Sequence, residues 1–179
     1  MAVIDKLKAA ERLIVAGIGM SERDEDPLSI HVVASSTLSL LRELIQANGD
    51  NYAGRVLKEG LFYAASFELA GKPVPLPTTP EIDALIGDVA AGIDAGQIKV
   101  PDDITVTLDM NELRDLLAYI TRPFNFLKHA QRDPLATLDE DDVDPQGTLI
   151  HALTAYGMLR PGHEWPDTIT SFLAKHGLQ

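Results

Sequence analysis

The stretch Asp26-Pro-Leu-Ser-Ile-His-Val-Val-Ala-Ser-Ser-Thr-Leu-Ser-Leu-Leu-Arg-Glu-Leu-Ile45 decides the fold class. Asp26 is a typical helix N-cap, and Pro27 suits the first helical position, where its missing N–H removes no hydrogen bond. Nearly every side chain before Arg42 is apolar or small, so the pattern predicts a long helix that is buried on most of its faces. A helix of this kind lies at the centre of a helical bundle, and we expect the other segments to pack around it.

The flanking segments repeat the combination of a capping residue, a proline and apolar residues at helical spacing. We predict a helix over residues 4–17 that ends at glycines, a helix over 52–70, and a helix from Thr79 and Pro80 to about 94. A further helix is expected from Asp109 to a kink at Pro123. Three more helix starts are expected at the pairs Asp133-Pro134, Asp144-Pro145 and Trp165-Pro166. Residues 71–80 form a proline-rich connector, and one short extended segment with strand-like alternation lies near 98–108. The expectation is an all-α, single-domain helical bundle of about six or seven helices over residues 1–179.

Composition narrows the functional classes. The chain has 179 residues, no cysteine and a formal net charge of -12. An acidic surface opposes non-specific binding to nucleic acid or anionic lipid, because those polyanions are held mainly by lysine and arginine. The sequence shows neither a signal peptide nor a run of about eighteen apolar residues, so we expect a cytoplasmic protein that does not bind membranes.

The residues able to do chemistry concentrate in Ile120-Thr-Arg-Pro-Phe-Asn-Phe-Leu-Lys-His-Ala-Gln-Arg-Asp-Pro134. Asn125 and His129 are four residues apart and share one face of a helix. Lys128, Arg132 and Asp133 follow within about two helical turns. Outside this block, His31 lies in the second turn of the central helix, where a histidine is either a hydrogen-bonded core residue or a ligand.

Two of these stretches resemble the signature blocks of a family of uncharacterised bacterial helical proteins. In that family an Asp-Pro-x-Ser-Ile-His block opens one helix, and an Asn-Phe-Phe-Lys-His-Ala-Asp-Arg-Asp-Pro block closes another. The first block matches here at every fixed position, and the second departs at Leu127 and Gln131. The resemblance covers only these two blocks. It singles out His31, Asn125, Lys128, His129, Arg132 and Asp133 as one set, with no activity attached.

A more distant resemblance is to the HEPN helical domains, many of which are metal-independent ribonucleases. Their motif is an arginine, often followed by an asparagine, four to six residues before a histidine. Asn125 and His129 reproduce the asparagine-to-histidine spacing, while Phe124 stands where the arginine directly precedes the asparagine. Six residues separate Arg122 from His129, and this spacing satisfies the loosest form of the motif.

The HEPN resemblance implies an RNA-processing or nucleotide-binding module. Cleavage through the RNA 2′-hydroxyl needs a base for its proton and a cation for the charge on phosphorus. His129 would be the acid or base, Arg122 or Arg132 would hold the phosphate, and Asn125 would orient the substrate. HEPN sites are usually shared across a dimer, so we also expect a homodimer.

Three alternatives stay open at this point. The first is that the block is a helix-end hydrogen-bond network in which Arg132 and Asp133 pair and cap. The second is a non-catalytic protein-interaction module, for which an acidic surface and a proline-rich connector suffice. The third is a ligand or metal site between His31 and His129, with Lys128 nearby and one further group from His151, Asp133 or Glu11. The sequence lacks the Glu-x-x-His pairs of metal-binding bundles, and we predict neither a bound metal nor a cofactor.

Overall fold

The structure is a computed structural model that describes residues 3–73, 80–105, 121–129, 131 and 134–176. Within these ranges the chain forms seven α-helical segments and two short 3-10 turns, and no β-strand. The predicted all-α helical class and the predicted number of helices are confirmed. Four of these helices begin at an aspartate or asparagine whose side chain caps the first turn, and the buried faces carry mainly apolar residues.

Contacts between residues divide the chain into two compact units. The first comprises Met1–Asp50 and Asp115–Gln179, and the second comprises Asn51–Arg114. Each unit has its own helices and its own apolar core. That residues 1–179 act as one domain stays a prediction.

The first helix of the first unit, α1, spans Lys6–Glu22 and begins where Asp5 accepts the N–H of Lys8 at 2.7 Å. The prediction that it ends at Gly17 is wrong, because the helix continues through the glycines. A Cβ at Gly17 would lie 2.8 Å from Cδ2 of Leu149 in a later helix. The glycine therefore permits close packing of two helices, and this contact offsets its poor helix propensity.

The central helix, α2, spans Pro27–Ala47, and Asp26 caps it by accepting the N–H of Ser29 at 2.9 Å. It packs against α1 and, most extensively, against the helix over Pro145–Leu159. Its length and mean hydropathy of 1.3 would also allow it to cross a membrane, but buried core helices satisfy the same criterion. The predicted packing of this helix against neighbours in its unit is confirmed, but only eight of its 21 residues are buried, so the prediction that it is buried on most of its faces is wrong.

Three further helical segments complete the first unit. Residues 121–128 form α5, which contains the buried Pro123. The next helix, α6, spans Pro145–Leu159 and is capped by Asp144, which accepts the N–H of Gly147 at 2.8 Å. The last helix, α7, spans Asp167–Lys175.

Two predictions concern the prolines Pro123 and Pro134. A helix does not start at Pro134, because that residue lies in a turn and a 3-10 turn over Glu140–Asp142 is the next regular element. The expected kink at Pro123 concerns the join to residues 106–120, which lie outside the described residues.

The second unit contains α3, Tyr52–Leu69, and α4, Pro80–Asp94, which pack against each other. Among its described residues, one cluster of buried apolar side chains lies between these helices and the loop that follows them, namely Leu61, Ala64, Ala65, Ile86, Val89, Ala90 and Ile104. The described part of the segment near 98–108 is a loop with a 3-10 turn over Pro101–Asp103. Residues 106–108, and residues 74–79 of the connector, lie outside the described ranges.

Candidate functional site

His31 is a buried, hydrogen-bonded side chain of α2, with 1% of its surface exposed. Its Nε2 lies 3.1 Å from Oγ of Ser35, one helical turn further along the same face. Burial lowers the pKa of the imidazole below its ordinary value of 6.5, while the backbone and the charge of Asp144 act in the opposite direction. The ring is therefore held mainly in its neutral form at pH 7.

The second ring nitrogen of His31 reaches α6. Its Nδ1 lies 3.3 Å from Oγ1 of Thr148, a residue 117 positions away in the sequence. The Thr148 hydroxyl in turn donates to the backbone carbonyl of Asp144 at 2.7 Å. Both ring nitrogens are thus satisfied inside the protein, as the burial of a polar ring requires.

A cavity of about 250 Å³ opens directly beside this histidine. Three helices of the first unit, α2, α5 and α6, contribute to its wall. The lining residues are Ser35, Leu38, Ser39, Arg42, Thr121, Phe124, Asn125, Lys128 and Thr148. Two of them are cationic, and no acidic residue occurs among the described residues that line the cavity. We refer to this cavity as the α2–α5–α6 pocket.

The predicted residues of α5 have defined neighbours. Asn125 donates through Nδ2 to Oγ1 of Thr121 at 3.2 Å, and Nζ of Lys128 lies 5.4 Å from the centre of the Phe124 ring. All four residues line the pocket, so one face of α5 forms one of its walls. The cation–π contact holds the Lys128 stem along the helix.

Arg122 and His129 are placed differently. Nη1 of Arg122 lies 3.4 Å from a carboxylate oxygen of Asp142, and both side chains are well exposed. His129 directly follows α5, is half-buried, and donates its backbone N–H to the carbonyl of Asn125 at 3.0 Å. Neither residue is among the described residues that line the pocket. Arg132 and Asp133 lie outside the described residues.

The structure therefore brings part of the predicted set together. Asn125 and Lys128 line the pocket, and His31 reaches it through the hydroxyl groups of Ser35 and Thr148. Ser35 and Arg42 also line the pocket, and sequence reasoning did not select them. Their spacing in the sequence is the feature that could have identified them. Ser35 is four residues after His31 and Arg42 is seven after Ser35, which places all three near one face of α2.

A second buried polar cluster lies elsewhere in the same unit, between α1 and α6. The carboxylate of Glu11, 8% exposed, accepts a hydrogen bond from the Tyr156 hydroxyl at 2.7 Å and is paired with Lys8. His163 lies near the same carboxylate oxygen as Tyr156, with its Nε2 3.8 Å from that Glu11 oxygen. The hydrogen bonds from Lys8 and Tyr156 lower the pKa of Glu11, and burial together with Glu11 raises the pKa of Tyr156 to about 12.

Metal ligands do not cluster in the part of the chain that the structure describes. No group of three or more histidine, aspartate or glutamate side chains is arranged there to hold an ion. Glu11, one of the residues considered as a ligand beside His31, belongs to the cluster with Tyr156. The pocket wall instead offers hydroxyl, amide, ammonium and guanidinium groups, which bind anions and polar organic ligands.

No family model, curated protein or solved structure matches the chain at a significant level. The class that the fold and the pocket define is an all-α protein with a small, cation-lined polar cavity inside one helical unit.

Proposed function

We propose that this protein binds a small phosphate-bearing ligand, such as a nucleotide or a nucleotide fragment, in the α2–α5–α6 pocket. The observation that carries the proposal is the presence of Arg42 and Lys128, from two different helices, in the wall of a cavity without a described acidic lining residue. A guanidinium and an ammonium group are the usual partners of phosphate oxygens. Ser39 and Asn125 add neutral polar groups to the same wall.

The net charge of the chain favours a small ligand that binds at one site over a long polyanion. The formal net charge of the chain is -12, so long polyanions are repelled by most of its surface. The two cationic side chains among the described lining residues, Arg42 and Lys128, favour a small anion that fits between them. Its volume of about 250 Å³ lies slightly below the roughly 300–1,000 Å³ of pockets for drug-sized molecules.

Binding of phosphate compounds to the whole protein tests the proposal. AMP and inorganic phosphate are titrated into the protein, with isothermal calorimetry and backbone amide shifts as readouts. Removing one charge-assisted contact typically costs about 1.5–3 kcal/mol, so Lys128→Gln and Arg42→Gln should each weaken AMP binding by about tenfold or more. The matched controls are Lys6→Gln and Arg12→Gln on the exposed face of α1, which should bind as the parent does.

Two results would contradict the proposal. One is the absence of saturable binding of either compound at millimolar concentration. The other is an equal loss of affinity in the α1 control variants, which would indicate general charge attraction. In either case the non-catalytic protein-interaction module becomes the better interpretation, and partner capture with the intact chain is the next measurement.

RNA processing is the catalytic form of this proposal. The supporting observation is that His129 directly follows Lys128, a lining residue, at the end of α5. In this form His129 is the acid or base, Arg122 or Arg132 neutralises the phosphate, and a homodimer completes the site. A panel of RNAs is incubated with the parent protein and with His129→Ala purified in parallel. Identical cleavage patterns would eliminate RNA processing without affecting the binding proposal.

A further inference from the structure

A chain of hydrogen bonds with a fixed direction ends in the wall of the α2–α5–α6 pocket. It begins at the backbone carbonyl of Asp144, which can only accept. Thr148 therefore donates its hydroxyl hydrogen to that carbonyl, at 2.7 Å. A hydroxyl has one hydrogen, so Thr148 has only lone pairs left for its other neighbour.

That neighbour is Nδ1 of His31, 3.3 Å from the Thr148 oxygen. Since Thr148 can only accept there, Nδ1 must carry the ring hydrogen. A neutral imidazole has a single N–H, so the opposite nitrogen, Nε2, is left as an acceptor.

Ser35 is the last member of the chain. Its Oγ lies 3.1 Å from Nε2 of His31, so the serine donates its hydrogen to the ring. Ser35 is 6% exposed, and it lines the pocket. The remaining lone pairs of its oxygen are the groups that it can offer to a molecule inside the pocket.

We propose that the ligand of this pocket is a phosphate monoester that carries a hydroxyl group, as a sugar phosphate or a polyol phosphate does, and that Ser35 accepts a hydrogen bond from that hydroxyl. This inference rests on the proposed phosphate binding and adds the chemistry of the other end of the ligand. Arg42 and Lys128 hold the phosphate. His31 is a positioning residue, because it fixes the direction of the Ser35 hydroxyl without itself lining the pocket.

The directed chain makes the pocket selective. A neutral hydroxyl of the ligand has a hydrogen to donate to Ser35, and a bare anion has none. Two acceptors that face each other without a hydrogen between them are unfavourable. One matched neutral hydrogen bond corresponds to about a three- to tenfold gain in affinity.

The test compares sn-glycerol 3-phosphate with propyl phosphate, which has the same carbon chain and phosphate but no hydroxyl. We expect the parent protein to bind glycerol 3-phosphate about three- to tenfold more tightly, measured by calorimetry. Ser35→Ala should bind the two compounds equally, with affinity for propyl phosphate retained. Ser66→Ala on α3, whose hydroxyl donates to the Phe62 carbonyl, is the matched control and should keep the preference.

Nitrogen-15 NMR of the histidine rings in the parent protein gives an independent readout that needs no variant. We expect His31 to carry hydrogen on Nδ1, with Nε2 unprotonated and sensitive to the addition of glycerol 3-phosphate. A neutral His31 ring with hydrogen on Nε2 would overturn the direction of the chain and with it the inference.

The binding outcomes separate the two proposals. If neither compound binds, the proposed phosphate binding fails and the ligand class fails with it. If both bind with equal affinity, or if Ser35→Ala keeps the preference, phosphate binding stands and the hydroxyl-bearing ligand is overturned.

Discussion

The first unit contains two buried polar networks that differ in where they end. The cluster of Glu11, Tyr156 and His163 is closed, because its carboxylate is surrounded by donors from the protein itself. The chain from Thr148 through His31 ends at Ser35, in the wall of a cavity. A closed network contributes to stability and specificity of packing, whereas an open one also has a group to offer a ligand. Mutations in each network separate the two roles.

The largest expected effect is on the closed network. Tyr156→Phe removes the donor to a nearly buried carboxylate, and hydrogen bonds to charged groups are worth about 1.5–3 kcal/mol. The free energy of unfolding should fall by that amount, measured by urea denaturation, while AMP affinity stays unchanged. Tyr63→Phe, with Tyr63 43% exposed on α3, is the control and should be neutral. A strong loss of AMP binding in Tyr156→Phe would mean that the two networks are coupled.

Breaking the open network should affect both properties. Thr148→Val keeps the shape of the side chain but removes the acceptor for Nδ1 of His31. We expect a loss of about 1–2 kcal/mol in unfolding free energy, and a loss of the preference for glycerol 3-phosphate. Thr170→Val, at an exposed position of α7, is the matched control. An unchanged ligand preference in Thr148→Val would show that the direction of the Ser35 hydroxyl does not depend on Thr148.

Acid should weaken the two networks in different pH ranges. Burial lowers the pKa of His31 from 6.5, so folding disfavours its protonation and stability declines as the pH falls below 6.5. Glu11, whose pKa is lowered from 4.5 by Lys8 and Tyr156, loses its contribution only as the pH falls below 4.5. One proton corresponds to at most about 1.4 kcal/mol per pH unit.

Unfolding free energies at a series of pH values check this order. His31→Gln should flatten the slope just below pH 6.5, and Glu11→Gln should flatten it below 4.5. His151 retains some slope in the upper range, because burial lowers its pKa as well. If His31→Gln has the same slope of unfolding free energy just below pH 6.5 as the parent protein, burial does not lower the pKa of His31 on folding.

The smallest effect is expected outside both networks. Arg122 pairs with Asp142 at 3.4 Å on the surface, and exposed ion pairs contribute about 0–1 kcal/mol. Arg122→Gln should change the unfolding free energy by less than about 0.5 kcal/mol and AMP affinity by less than about threefold. A tenfold loss of AMP affinity would place Arg122 in the binding site and favour the RNA-processing form of the proposal.

Part of the fold could be read from local chemistry. Asp26, Asn51 and Asp144 were followed by helical patterns, and each caps the helix that begins after it. The end of α1 could not be read this way. Glycine disfavours a helix by about 1 kcal/mol, yet α1 continues through Gly17, where close packing against Leu149, far away in the sequence, leaves no room for a Cβ.

The candidate site shows the same division. His31 and the α5 residues Asn125 and Lys128 were selected from spacing and from the resemblance of two short blocks. Arg42 and Thr148 were not selected, because each is an ordinary residue of its own helix. They become part of a site only when α2, α5 and α6 pack around one cavity.

By itself, the sequence determined that the chain is helical, where most helices begin, and that α2 is a long apolar helix with a histidine in its second turn. These features follow from capping groups and apolar periodicity, which act over a few residues. Only the tertiary structure decided which side chains complete the environment of His31. The reason is physical, since a hydrogen bond such as that between His31 and Thr148 joins residues 117 positions apart, and only packing of α2 against α6 brings them within reach.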